Sequence, residues 1–132
     1  MVDEKGLIEL GKDLADLGMN FDDVSKRVKD LPEGNKRYIF AGFSSAMINS
    51  NAADSYLAAK ESGDSGLLKN SLKKLLDGDL RAATRIAMSS EDIELMEAIT
   101  EEANKKNDTL AVELIKNRLR EVKMKSISKI LG

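Results

Sequence analysis

Residues 62–108 read SGDSGLLKNSLKKLLDGDLRAATRIAMSSEDIELMEAITEEANKKND, and four similar polar turns cut this stretch into near-equal lengths. The turns are Ser62-Gly63-Asp64, Asp77-Gly78-Asp79, Ser90-Glu91-Asp92 and Lys106-Asn107-Asp108. Their final aspartates lie 15, 13 and 16 residues apart, so alternate turns repeat at 28 and 29. Each intervening segment has the length of a three-turn helix, and each turn ends on a residue type that caps a helix N-terminus well. A helical hairpin recurring at such a period predicts a stacked helical array, a construction used mostly for interaction surfaces.

The segments carry apolar stripes to match. Leu67, Leu68, Leu72, Leu75 and Leu76 form the first, Leu80, Ala83, Ile86 and Ala87 the second, and Ile93, Leu95, Met96 and Ile99 the third. Val112, Ile115, Leu119 and Val122 form a fourth, continuing loosely to Ile127, Ile130 and Leu131. Upstream, the residues from Lys36 to Glu61 predict one long central helix, weakest at Asn49-Ser50-Asn51. Its many small residues, Gly42, Ser44 and Ser55 among them, let other helices approach closely.

At the N-terminus, Leu7, Leu10, Leu14, Leu17, Phe21, Val24, Val28 and Leu31 recur at alternating spacings of three and four. A continuous coiled-coil helix would have to carry Gly18 and Asn20 in its interior. Two short helices, with Gly18 ending the first and Asn20 capping the second, are favoured. Leu31-Pro32-Glu33-Gly34 ends the element. A single proline in 132 residues and the lack of any alternating apolar pattern complete the expectation of an all-α, single-domain protein of six to eight helices spanning residues 1–132.

Composition narrows function. The chain holds no cysteine and no histidine. Disulfides, thiolate catalysis, the usual general base and the usual zinc ligands are thereby excluded. Ser71-Leu72-Lys73-Lys74 and Ser126-Ile127-Ser128-Lys129 match the serine–lysine spacing of some acyl-transfer enzymes, but a chain rich in both residues produces such matches by chance. Carboxylates three apart at Glu61 and Asp64 and at Glu94 and Glu97 would suit a divalent cation, yet the first pair straddles a turn. No phosphate loop or calcium loop is present. The expectation is no enzyme, no metal and no cofactor.

Charge is distributed unevenly behind a net of −2. Residues 1–30 carry eight acids against five bases, residues 91–108 seven against two, and residues 109–132 six bases against two acids. The basic candidates are Lys116, Arg118, Arg120, Lys123, Lys125 and Lys129 in the final helix, with Lys69, Lys73, Lys74, Arg81 and Arg85 in the two array helices before the acidic one. Each set suits phosphates or an acidic partner, or else a solvated helix face. Leu7, Leu10, Leu14 and Leu17 are the candidate association stripe. The sequence opens acidic with no signal-like apolar run, and its longest uncharged stretch, residues 38–53, is too short and too polar to cross a bilayer. A cytoplasmic interaction, adaptor or assembly module without membrane contact is therefore expected, acting on a protein partner or a second copy of itself. Nucleic-acid binding or regulation through the basic final helix is the alternative.

Overall fold

The computed structural model describes residues 3–132 and is all-helical, with eight helices, 82% helix and no strand among the described residues. They are α1 (Glu4–Asp16), α2 (Phe21–Val28), α3 (Glu33–Met47), α4 (Ala52–Ser62), α5 (Ser65–Gly78), α6 (Leu80–Met88), α7 (Ile93–Lys105) and α8 (Thr109–Leu131). Their contacts cluster into two compact units, one ending at Gly78 and the other beginning at Asp79.

All four turn aspartates cap helices. Asp64 Oδ1 accepts from the backbone N–H groups of Gly66 and Leu67, Asp79 from Ala82, Asp92 from Leu95 and Asp108 from Ala111, at 2.9–3.1 Å. Each satisfies amide groups that the helix itself leaves unpaired. The N-terminal stripe breaks where glycine and asparagine interrupt it. Gly18 adopts φ +84°, and Asn20 and Asp23 exchange side-chain-to-backbone bonds in a capping box that starts α2.

The expected long central helix is two helices. The chain turns at residues 48–51, where Asn51 caps α4 by accepting from Asp54 N–H at 3.1 Å. α4 then folds back on α3 through a buried pair of serines. Ser44 Oγ donates to the Ser55 carbonyl and Ser55 Oγ to the Ser44 carbonyl, both at 2.8 Å. In one unbroken helix these residues, eleven apart, would sit about 16 Å from each other.

In the first unit the core is formed by Leu7, Val24, Val28, Ile39, Phe40, Phe43 and Ala58. Phe21 tilts against Phe40 with ring centroids 5.6 Å apart. α1 crosses α3 at backbone contact: a Cβ on Gly11 would meet the Ile39 carbonyl oxygen and sit 2.7 Å from the Phe43 nitrogen, and one on Gly42 would meet the Ile8 carbonyl. Asp54 of α4 accepts from Phe21 N–H at 3.1 Å and so ties the start of α2 to α4. The Tyr38 hydroxyl on α3 is raised in pKa, chiefly by its hydrogen bond to Glu4 of α1.

The second unit packs α6 against α7 and α8, and α7 against α8. Small residues fill α6, with Ala82, Ala83, Thr84 and Ala87 buried, while Leu95, Met96 and Ile99 of α7 and Ile115 and Val122 of α8 supply the bulk.

Candidate functional site

The final helix carries six of the basic candidates, and helical geometry divides them into two sets. At 100° per residue, Arg118, Lys125 and Lys129 fall within about 60° of the buried Val122, whereas Lys116, Arg120 and Lys123 lie roughly 100–160° away. The inward set is engaged by the α6–α7 turn. Arg118 donates through Nε and Nη2 to the Ser90 carbonyl, at 3.3 and 2.8 Å, and through Nη1 to Glu121 at 3.3 Å. Lys125 Nζ pairs with Glu91 at 2.7 Å, and this ammonium holds the Glu91 carboxyl below its ordinary value, with Lys129 and Arg118 adding to the effect. Arg118 is half-buried and acts as a clasp between α8 and the turn, not as the open cation the sequence suggested. Lys116, Arg120 and Lys123 are exposed.

Apolar residues share that outward side. Met124 (56% exposed), Ile127 (48%) and Leu131 (81%) lie about 140–200° around the axis from Val122. Ile130 beside them is exposed as well, and no side chain of α8 beyond Val122 is buried. The outward face therefore presents cations first and then an apolar row. The helix contains no aromatic side chain on which a nucleobase could stack.

The array-helix cations fall in different units. Lys69 and Lys73 are exposed on α5, and Lys73, Lys74 and Asn70 border a cleft of about 510 Å³ with Ile48, Asp77 and Gly78. Arg81 and Arg85 are exposed on α6, and Arg81 lies at the rim of a groove of about 310 Å³ that includes Thr84, Asp108, Leu110 and Leu114.

The candidate association stripe also divides. Leu7 is buried, and Leu14 is half-buried and packs against the core. Leu10 (41%) and Leu17 (74%) are exposed. They lie about 100–120° around α1 from Gly11, the residue that meets α3. The acids Glu9, Asp13 and Asp16 are exposed along the same helix. Among the described residues no three acidic side chains come close enough together to hold a metal ion, and no described helix is long and apolar enough to cross a membrane.

Sequence reasoning found the basic helix but not its two faces. The signal was present in the spacing, since Met124, Ile127 and Leu131 repeat at three and four but out of phase with Ile115 and Val122. No family model matches the chain, and no characterised protein or solved structure matches it at a significant level.

Proposed function

We propose that the protein is a non-catalytic interaction or assembly module and that the outward face of α8 is its docking surface. The observation that carries this reading is the exposed row Met124, Ile127 and Leu131, placed opposite the face that builds the unit and continuing from Lys116, Arg120 and Lys123. Apolar side chains that folding does not use, rimmed by charge, are what an interface needs and what a solvated helix avoids.

The absence of cysteine allows a single fluorophore to be placed at Ser128→Cys, beside the row. If α8 docks, the label becomes shielded from iodide quenching as the protein is concentrated or a partner is added, and Ile127→Lys abolishes the shielding. Equal quenching under every condition would contradict the interaction reading.

A second reading rests on the exposure of Lys116, Arg120 and Lys123: polyanion binding, as in a nucleic-acid-binding regulator. Three phosphate contacts would make affinity fall by roughly 40-fold between 50 and 200 mM salt, as expected from counterion release. Changing Arg120 and Lys123 to Gln would flatten that slope. Absence of binding to DNA or RNA at low salt would eliminate this reading.

A further inference from the structure

We infer that the occupant of the α8 face is a second copy of this chain, which docks with its acidic helix α1. This inference rests on the interaction reading above and supplies its partner. Two rows in the chain match in spacing and are opposite in charge. On α1 the row is Leu10, Leu14 and Leu17, with steps of four and three, its first and last members exposed and the middle one seated at the core's edge. On α8 the row is Leu131, Ile127 and Met124, which read from the C-terminal end also steps by four and three. Antiparallel docking therefore brings the two rows into register over about 10 Å.

The charges agree with that direction. At the Leu17 end of α1 Asp16 is exposed, and so are Asp22 and Asp23 in the first turn of α2. Past Met124 in the matching direction come Lys123 and Arg120, both exposed and on the outward side of α8. Register by the apolar rows thus brings the cations to the acidic end of α1. Pairing two α8 faces with each other would crowd Arg120 and Lys123 of both copies around one interface, and pairing two α1 faces would crowd acids. Like charges across an interface are unfavourable, so the two faces prefer each other to themselves.

Because the two faces are different surfaces of one chain, the contact is heterologous. Each bound pair leaves one α1 face and one α8 face unused, and these either join further copies or meet each other and close the assembly.

The test uses two charge-reversed variants of the full chain, Asp16→Lys with Asp22→Lys, and Arg120→Glu with Lys123→Glu. All four positions are exposed, and circular dichroism should show that helix content is retained. Sedimentation velocity of the unaltered protein should show a mass that rises with concentration and falls with added salt. Each variant alone should remain monomeric. An equimolar mixture should recover association, because the unaltered faces meet and the two reversed faces are again opposite in charge. Ile127→Ser should weaken association without altering charge.

An unaltered protein that stays monomeric at all concentrations overturns the inference, as does an equimolar mixture of the variants that stays monomeric. Variants that assemble as well as the parent overturn it too. A monomeric protein whose Ser128→Cys label is nonetheless shielded by another macromolecule would leave the interaction reading standing and remove only the second copy as its partner.

Discussion

Gly11 and Gly42 set how closely α1 approaches α3, since on either residue a methyl group would run into the backbone of the facing helix. Backbone cannot swing aside as a side chain can. Gly11→Ala and Gly42→Ala should each cost about 2 kcal/mol or more in urea denaturation, through helix separation and overpacking. An unchanged midpoint would mean the crossing is looser than described. The serine pair Ser44 and Ser55 makes a different prediction. Each hydroxyl bonds the other's carbonyl, and the two oxygens lie 3.2 Å apart. Either serine changed to Ala should lose about 1–2 kcal/mol, and the double change should lose less than the sum, because the first substitution already breaks the reciprocal pair. Strict additivity would show that the two bonds act independently. Neither arrangement was legible beforehand. Small residues in α3 announced a close approach, but a glycine in α1 finds its partner only through tertiary packing.

At the scale of elements, the turns were the most legible part of the chain. A capping aspartate acts within three residues, so sequence neighbours suffice to recognise it, and Asp79→Ala, Asp92→Ala and Asp108→Ala should each destabilise by about 1 kcal/mol. The break between α3 and α4 was harder to read. Asn51 is a capping residue embedded in an otherwise helical pattern, and only the return of α4 onto α3 favours the turn over continuation. In α8, charge count alone hid the separation of clasp from outward face. The clasp has a pH signature. Lys125 lowers the pKa of Glu91 in the folded state, so the pairing contributes stability above the ordinary carboxylate range and loses it as pH falls through the lowered value. Replacing Lys125 with Met should return the Glu91 titration, followed by NMR, toward the ordinary carboxylate range. No movement would mean that another group sets it.

For the molecule as a whole, the two ends of the sequence carry opposite local charge, with acids in excess over residues 1–30 and bases over 109–132. Folding leaves an exposed apolar pair on α1 and an exposed apolar row on α8. The all-helical class followed from one proline, four capped turns and stripes of helical period. The docking surface did not, because Met124, Ile127 and Leu131 read in sequence as a loose continuation of the core stripe until Val122 fixes which side of α8 faces inward. Hydrogen exchange measured by mass spectrometry at low and high protein concentration tests this surface most directly. The backbone of residues 123–131 belongs to a helix stretch without buried side chains and should exchange rapidly in dilute protein. On concentration, that stretch and residues 10–17 should gain protection together, while the core segments around Ile39 and Ile99 stay as they were. Exchange at 123–131 that is the same at both concentrations would contradict the docking of this face on a second copy.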